Sequence, residues 1–368
     1  MSQVNPPFRA DQVGSLMRPK ALLAARQHAA AGDIEAEELR EIEDEHIAQV
    51  IKKQESVGMS AVTDGEFRRE FFHLDFLEQL AGVTVTGTIE ASSNAQETVG
   101  FTPPKLSVTN KLRHVRNIQV DDFNYLQSKV TQLPKVSIPS PTMVHFRGGR
   151  AAIDIEAYPD MDEFFEDLAQ CYRDEISALY KAGCRYLQLD DTNLAYLCDP
   201  KMRQGAIDRG DDPNELPRTY AELINDVING RPDDLTVCIH LCRGNFRSTW
   251  FAEGSYEPVA EVLFNELNVD GYFLEYDDAR SGGFEPLRFV PENKTIVLGL
   301  VSTKRPRLEK QEELIARIKQ ASQFVRLDNL CLSPQCGFSS TVHGNEITED
   351  DQWRKLELVV NTAEEIWG

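Results

Sequence analysis

The sequence predicts an α/β fold, in the form of a (β/α)₈ barrel, and three observations support this prediction. Short apolar segments alternate with longer amphipathic segments from one end of the chain to the other. There are about eight apolar segments, each followed by a helix or by enough residues to form one. Their nearly continuous apolar character is typical of parallel strands that are covered on both faces.

The number of repeats favours a closed barrel over an open doubly wound sheet, because roughly eight βα units are what a barrel requires. An open nucleotide-binding sheet would carry a glycine-rich phosphate-binding turn after its first strand. The sequence has neither a Gly-x-Gly-x-x-Gly motif at that place nor a P-loop pattern. We therefore expect the barrel.

The N-terminal half supplies the first three strands. Residues 10–14 form the first apolar segment, and a helix is expected over residues 33–57. Gly58 then suits the C-terminal cap of this helix. Residues 60–64 and 135–138 are the second and third strand candidates.

One segment interrupts the βα rhythm. Residues 83–116 contain the alternating sequence Val83-Thr84-Val85-Thr86 and glycine-bearing polar turns, which predict a β-hairpin inserted after the second strand. No linker or shift in composition divides the chain. We therefore expect residues 1–368 to form a single catalytic domain with this hairpin as an excursion.

The second half begins with the clearest helix, over residues 160–182, whose apolar side chains recur at helical spacing and which Gly183 closes. A further helix is expected over residues 309–324, and Thr348 suits the N-cap of the last helix. The remaining strand candidates are residues 186–190, 235–240, 271–275, 295–300 and 329–332.

Composition excludes several classes of partner. The formal net charge of −21 argues against nucleic acid, because phosphate binding needs a basic surface. No apolar run approaches the roughly 20 residues that span a bilayer, and the N-terminus does not resemble a signal peptide. These features predict a cytoplasmic protein that does not bind membranes. The 7 cysteines are scattered without Cys-x-x-Cys pairs, so no disulfide framework is expected.

Polar side chains cluster at the predicted strand ends, where barrel enzymes carry their chemistry. Each one alone has an ordinary explanation, such as a glutamate that caps a helix or a cysteine that fills the core. The combination is more informative, because His240-x-Cys242 places both side chains on one face of an extended segment. The residues at these positions are Ser15, Asp64, Glu66, Asp190, Asp191, His240, Cys242, Glu275 and Cys336.

One histidine, two cysteines and one glutamate form a suitable ligand set for zinc. If neighbouring strands bring Glu275 and Cys336 towards His240 and Cys242, two thiolates and a carboxylate oppose the two charges of the metal. Such a site is a poor Lewis acid for water, but it can hold an incoming thiol as a nucleophilic thiolate. The ligand set therefore favours thiol alkylation over hydrolysis.

Several segments resemble the motifs of the cobalamin-independent methionine synthase family, in family order and over residues from about 11 to 367. The zinc motifs of that family resemble Cys238-Ile-His240-Leu-Cys242-Arg-Gly-Asn245, Phe273-Leu-Glu275-Tyr276 and Leu332-Ser-Pro-Gln-Cys336-Gly337. Its barrel entry, Gly-Glu and Gln-x-Asp-Glu-Pro segments resemble Val13-Gly-Ser15-Leu16, Thr63-Asp-Gly-Glu66 and Leu187-Gln-Leu-Asp190-Asp191.

This resemblance implies zinc bound by His240, Cys242, Glu275 and Cys336, and transfer of a methyl group to the thiol of homocysteine. It also implies that Ser15, Glu66 and Asp190 hold the amino-acid substrate, with Glu66 and Asp190 as the catalytic-site carboxylates that receive its ammonium group. A cation in a partly dry pocket needs such fixed negative partners.

Two further residues are substrate-binding candidates. His145 follows the third strand and would face the donor, or would bond a loop carbonyl as a structural histidine. Asp191 would accept a hydrogen bond from a ligand, or would simply begin the following helix.

The sequence also departs from the family pattern. Full-length synthases have two barrels, whereas this chain resembles the C-terminal catalytic one. The family's Asp-x-His-Ser-Pro-Arg segment is replaced after the seventh strand by Leu298-Gly-Leu-Val-Ser-Thr-Lys304, which lacks the histidine that would protonate a leaving folate. The methyl donor is therefore expected to be either a methyl-folate or a methyl-corrinoid, including one carried by a corrinoid protein.

Two other functions remain open at this point. The first is another zinc-assisted thiol alkylation, such as the addition of coenzyme M to an epoxide. The second is a non-catalytic protein that senses zinc or thiols. A sensor would not need Ser15, Glu66 and Asp190 to converge beside the metal.

Overall fold

Six adjacent parallel strands form the central sheet of the protein. A computed structural model describes residues 5–88 and 104–368. Its strands are β1 (Ala61–Val62), β2 (Ala81–Thr88), β3 (Pro104–Arg113), β4 (Leu133–Pro134), β5 (Val136–Pro139), β6 (Tyr186–Asp191), β7 (Thr236–Leu241), β8 (Gly271–Glu275), β9 (Thr295–Val301) and β10 (Leu330–Pro334). Strands β5 to β10 lie side by side in chain order, each parallel to its neighbour. The predicted α/β fold with a parallel sheet is confirmed.

Helices connect these strands. They are α1 (Lys20–Ala31), α2 (Ala36–Val57), α3 (Leu74–Leu77), α4 (Val120–Lys129), α5 (Met161–Ala182), α6 (Asn193–Tyr196), α7 (Pro200–Asp208), α8 (Leu216–Ile228), α9 (Ala260–Asn265), α10 (Gln311–Ala321) and α11 (Glu349–Trp367). Short 3₁₀ helices span Pro141–Val144, Gly149–Ala152, Ala279–Ser281, Glu285–Phe289 and Leu327–Asn329. In the described part of the chain, no helix combines the length and apolar character needed to cross a membrane.

The helix ends follow the expected local chemistry. Gly58 and Gly183 close α2 and α5 in the left-handed conformation, with φ of 98° and 111°. The Asp160 side chain accepts a hydrogen bond from the Asp162 amide at the start of α5. Thr348 forms a reciprocal capping box with Asp351 at the start of α11. These caps place the helix boundaries within a few residues of the predicted ones.

Shorter pairings extend the sheet at both edges. Strand β1 pairs with β4 in parallel, and Lys135 alone separates β4 from β5. At the other edge, the Asp11 amide donates to the Leu332 carbonyl at 3.0 Å, and Ala10 bridges Leu332 in parallel. The predicted first strand therefore contributes a single bridge instead of a continuous strand over residues 10–14.

The predicted hairpin is present, and it lies in the sequence between β1 and β4. Strands β2 and β3 are antiparallel, with Val83 opposite Val108. The excursion was predicted over residues 83–116, and its strands span Ala81–Thr88 and Pro104–Arg113. Residues 89–103 of the predicted excursion lie outside the described residues.

The strands arrange polar side chains above an apolar layer. Alternate residues of a strand share a face, so Cys238 and His240 point the same way, as do Phe273 and Glu275. The lower layer consists of mutually packed buried side chains, namely Val13, Ala61, Tyr186, Cys238, Phe273, Val297 and Cys331. This layer supports the polar side chains at the carboxyl ends of the strands.

Candidate active site

Four potential metal ligands converge at the carboxyl ends of three strands. His240 lies in β7 and Cys242 follows its end, Glu275 is the last residue of β8, and Cys336 comes two residues after β10. One ligand atom from each residue lies within 4.8 Å of those of the other three. All four side chains are buried. The structure therefore brings together the four residues for which the sequence predicted a metal site.

The thiol groups of Cys242 and Cys336 and the imidazole of His240 shift one another's pKa values. The Sγ atoms of Cys242 and Cys336 are 3.4 Å apart. A hydrogen bond from Cys242 holds the pKa of Cys336 well below its ordinary value despite burial, and it raises the pKa of Cys242. Burial opposes protonation of His240, but the nearby Cys336 sulfur outweighs this and raises the pKa of His240 to about 9.

Glu275 is held by the protein on both carboxylate oxygens. The Arg243 amide donates to Oε1 at 2.8 Å, and the Arg280 guanidinium donates to Oε2 at 2.7 Å. Burial would raise the pKa of Glu275, but Arg280 and then Lys304 outweigh it, so this pKa lies below its ordinary value. The carboxylate is therefore charged and fixed in orientation, and its remaining lone pairs are available to a metal ion.

The donor set fits a zinc ion. His240 Nε2 is buried and has no hydrogen-bond partner among the described residues, which is costly unless another group takes its lone pair or proton. Thiolate, imidazole and carboxylate are the ligands that zinc takes in proteins, usually as a tetrahedron. The negative charge of this cluster and the unpartnered nitrogen are both accounted for by a bound cation.

A small cavity adjoins this cluster and is lined by most of the predicted substrate residues. Ser15, Glu66 and Asp190 line it together with His240, Cys242 and Cys336. Three separate parts of the chain, the N-terminal segment, the loop after β1 and the end of β6, thus supply side chains to one space beside the potential metal ligands.

Glu66 is held in a strained conformation at this cavity. Its φ is 59°, in the left-handed region that non-glycine residues seldom adopt. One carboxylate oxygen pairs with Arg69, while Oε1 is buried without a hydrogen-bond partner among the described residues. A Cβ atom on Gly14 would lie 2.5 Å from Oε1, so this glycine makes room for the carboxylate. An unpartnered acceptor in a strained loop is typical of a group that binds a ligand.

Burial raises the pKa of Glu66 to about 8, with Arg69 opposing this increase and Asp190 adding to it. Burial also raises the pKa of Asp190, whose Oδ1 accepts a hydrogen bond from Gln188 Nε2 at 2.7 Å. Two buried carboxyl groups that share a small cavity disfavour each other's charge. A cationic ligand between them would remove this conflict.

Ser15 packs tightly against the loop that carries Cys336. Its Oγ accepts a hydrogen bond from the Ser339 amide at 3.4 Å. A Cβ atom on Gly337 would lie 1.9 Å from this Oγ, so a side chain at that position would displace the serine. The glycine after Cys336 therefore permits the contact between the two loops.

The other two predicted substrate residues do not line this cavity. Asp191 is fully buried and accepts hydrogen bonds from Thr142 Oγ1 and the Leu194 amide, so its carboxylate organises the start of α6. His145 Nδ1 lies 2.9 Å from the Tyr220 hydroxyl, and its ring packs against Phe165. Burial lowers the pKa of His145. Asp191 therefore lies at the start of the following helix, as its alternative interpretation had it, whereas the partner of His145 is a tyrosine hydroxyl and not the loop carbonyl of its alternative interpretation.

Sequence reasoning missed several cavity residues, and the signals for them were weak. Arg69, Phe72, Asn245 and Ser340 also line the cavity. Asn245 lies within the quoted His-x-Cys segment, but Arg69 and Phe72 lie in a loop with no regular pattern. A second, adjoining cavity shares Phe72 and Asn245 and is lined mainly by aromatic side chains: Phe71, Phe72, Tyr196, Phe246 and Phe251.

The raised pKa of Glu66 leads to a stability prediction. The folded chain holds this proton more tightly than the unfolded chain, in which a glutamate has a pKa of about 4.3. The contribution of Glu66 to stability is therefore complete below about pH 4 and is lost as the pH rises through about 8. We expect Glu66→Gln to unfold at the parent's temperature at pH 4 and roughly 2 °C or more above it at pH 9. Thermal unfolding at both pH values tests this, and a lower unfolding temperature at pH 9 would contradict it.

Comparison with known proteins places these features in a family. Residues 8–364 match the family described as "Cobalamin-independent synthase, Catalytic domain". The chain is 48% identical over 363 residues to the uncharacterized protein YxjH of Bacillus subtilis, covering 98% of this chain and 95% of that one. It is 25% identical over 329 residues to a methionine synthase of Pyrococcus horikoshii, covering 88% and 84%. A crystal structure from Listeria monocytogenes, provisionally assigned as a vitamin-B12-independent methionine synthase, superposes with a TM-score of 0.80 at 38% identity and covers both chains fully.

Proposed function

The chain belongs to the cobalamin-independent methionine synthase family, and we propose that it is a zinc-dependent S-methyltransferase that converts homocysteine to methionine. One observation carries this proposal. Three of the four potential metal ligands and three predicted substrate residues line one small cavity, although they come from distant parts of the sequence, and the fourth ligand, Glu275, has a carboxylate oxygen within 4.8 Å of the other three ligand atoms.

His240, Cys242, Glu275 and Cys336 would hold the zinc ion. Bound there, zinc would keep the substrate thiol as a thiolate near neutral pH while leaving it nucleophilic. The protein's part is to fix the ligands, and Arg280 and the Arg243 amide do this for Glu275. Groups that orient the ligands of a metal in this way typically tune its affinity.

Glu66 and Asp190 would receive the ammonium group of homocysteine, and Ser15 would contact the same substrate. The unpartnered Glu66 Oε1 and the buried Asp190 carboxyl would become two negative partners once an ammonium group lies between them, because a nearby cation lowers the pKa of both carboxyl groups. Their attraction would orient the amino acid so that its thiol points towards the cysteine ligands, which lowers the entropic cost of reaction.

The same carboxylates favour homocysteine over the two other functions considered. Coenzyme M carries a sulfonate and no ammonium group, so it would leave the two buried carboxyl groups without a cationic partner and place another acidic group beside them. A sensor of zinc or thiols would not need Ser15, Glu66 and Asp190 at the same cavity as the ligands, yet all three line it. The geometry therefore supports an enzyme acting on an amino-acid thiol.

We also propose that the parallel strands close into a single-domain (β/α)₈ barrel. The bridge between Ala10 and Leu332 and the pairing of β1 with β4 extend the six-stranded sheet at both edges. Hydrogen bonds from Leu16 to Gly65 and from Thr63 to Gly14 link these two extensions. This continuous path of hydrogen bonds supports closure.

The methyl donor would enter through the aromatic cavity, which shares Phe72 and Asn245 with the small cavity beside the potential metal ligands. Aromatic faces stack on flat ring systems, and a family described as cobalamin-independent favours a methyl-folate over a methyl-corrinoid. The net charge of −21 disfavours a long polyglutamate tail. We therefore propose a methyl-folate with a short tail as the donor.

A donor panel tests the reaction. The zinc-loaded protein would be incubated with homocysteine and either methyl-folate with one glutamate, methyl-folate with three glutamates, methylcobalamin, or a methylated corrinoid protein, and methionine would be measured. We expect turnover with the monoglutamate at least as fast as with the triglutamate. Faster turnover with a corrinoid donor would reassign the donor, and no methionine from any donor would refute the proposed function.

Homocysteine binding should release at least one proton near neutral pH, one from the thiol and a further fraction from Glu66, whose pKa of about 8 should fall when an ammonium group binds beside it. A free thiol has a pKa of about 8.5 and is mostly protonated before it binds, whereas a metal takes the thiolate. Calorimetric titrations in buffers of different ionisation enthalpy would measure the release. Identical binding enthalpies in all buffers would argue against thiolate formation.

A further inference from the structure

Lys304 lies just beyond β9 and is buried, with 5% of its surface exposed. Its Nζ donates to three oxygen atoms, the Asn245 Oδ1 at 2.8 Å, the Thr249 carbonyl at 3.0 Å and the Gly244 carbonyl at 3.3 Å. An ammonium group has three protons, and these three acceptors engage all of them in hydrogen bonds within the protein. All three acceptors belong to the loop that follows Cys242.

Asn245 carries this connection on to the other cysteine. Its Nδ2 donates to the Gly337 carbonyl at 2.8 Å and to Ser340 Oγ at 3.0 Å. Ser340 Oγ in turn lies 3.6 Å from the Sγ of Cys336. A chain of hydrogen bonds thus runs from Lys304 through Asn245 to the loop of Cys336 and joins the loops of the two cysteines.

Lys304 occupies the segment where the family's histidine-bearing motif is replaced, so it is a candidate to donate a proton to the leaving group in place of that histidine. The structure argues against that role. Lys304 does not line the cavity beside the potential metal ligands or the adjoining aromatic cavity. A donor whose protons are all engaged, and which does not face the substrate space, is poorly placed as a general acid.

We propose instead that Lys304 and Asn245 are positioning residues that fix the spacing of Cys242 and Cys336 and so set the metal affinity of the site. This inference rests on the proposed zinc site. Two thiolates and a carboxylate exceed the charge of zinc by one, and the Lys304 ammonium supplies a nearby buried positive charge. The link through Asn245 keeps the two sulfur ligands at a fixed separation without contacting the metal.

Zinc affinity tests this proposal without an activity assay. The dissociation constant of zinc would be measured by competition with a chromophoric chelator for the parent and for Lys304→Met and Asn245→Asp. We expect each substitution to weaken binding by about 10- to 100-fold, as for other groups that orient metal ligands. Lys294→Met is the matched control, because Lys294 precedes the same strand at its other end and bonds the Val269 carbonyl. It should leave the affinity within about twofold.

The double variant Lys304→Met/Asn245→Asp adds a second measurement. Because both residues act through one link, the effects of the single substitutions should not add up in the double variant. Circular dichroism would show which variants fold, and either folded single variant suffices for the test. A parent that binds no zinc would refute the proposed function and this inference with it. A parent that binds one zinc ion, with folded variants of equal affinity, would overturn the positioning role alone.

Discussion

A Cys336→Ser variant should keep its fold but lose bound zinc and methyltransferase activity. Serine's hydroxyl is far less acidic than a thiol and does not replace a thiolate ligand at neutral pH. Cys336 lies in a loop beyond the end of β10, and the stability of an α/β fold rests mainly on the packed strands and helices below such loops. We expect zinc affinity to fall by more than about 100-fold, beyond the effect of losing a group that only orients a ligand. Metal analysis of the purified variant measures this.

Cys331→Ser provides the matched control for this experiment. Cys331 lies in the same segment, five residues earlier, and is fully buried in the apolar layer beneath the ligands. Its replacement introduces a buried hydroxyl and should lower stability, while zinc content stays at one ion per chain. Cys242→Ser should behave as Cys336→Ser does. Global unfolding of both ligand variants would instead show that the metal maintains the fold.

The potential metal ligands were predictable because strand geometry is local. A residue pair such as His240 and Cys242 shares a face at a spacing of two, whatever the rest of the chain does. Because these strands are parallel, the carboxyl ends of β7, β8 and β10 all point to the same end of the sheet. Alternating apolar and amphipathic segments predicted this arrangement, so the sequence alone indicated that Glu275 and Cys336 would approach the pair.

Asp191 shows how the same rule could have refined the prediction. Asp190 shares a strand face with Gln188 and points into the cavity, so its neighbour must point to the other side. The structure shows Asp191 bonded to Thr142 and Leu194 there. Asp191 was a candidate because it ends the same strand as Asp190, and the period of two was already visible in the sequence.

Other features depend on long-range contacts that no local pattern reports. Lys304 reaches Asn245 across 59 positions of sequence, and Asn245 reaches the Gly337 carbonyl across 92. The first strand was predicted over five residues, but Ala10 forms a single bridge there. Tertiary packing decides such contacts, so they follow from the fold and not from propensity.

Asp190→Asn should lower kcat/KM for homocysteine by about 100-fold, equivalent to about 3 kcal/mol. Asp190 is 5% exposed, and a charge pair with a substrate ammonium in such a dry site is costly to break. Asparagine retains the size and the Gln188 contact but removes the negative charge. Steady-state kinetics with homocysteine, with zinc content measured in parallel, tests this expectation.

The comparison substrate is 4-mercaptobutanoate, which is homocysteine without its amino group. In the parent this thiol leaves Glu66 and Asp190 without a cation, so it should react far more slowly than homocysteine. In Asp190→Asn its rate should stay the same or rise, because one of the two buried carboxyl groups that lack a cationic partner is gone. The ratio of the two rates, homocysteine over 4-mercaptobutanoate, should therefore fall, because the rate with homocysteine decreases while the rate with 4-mercaptobutanoate does not. An equal loss for both thiols, with zinc still bound, would mean that Asp190 acts on the thiol or on His240, its register neighbour in β7, and does not bind the ammonium group.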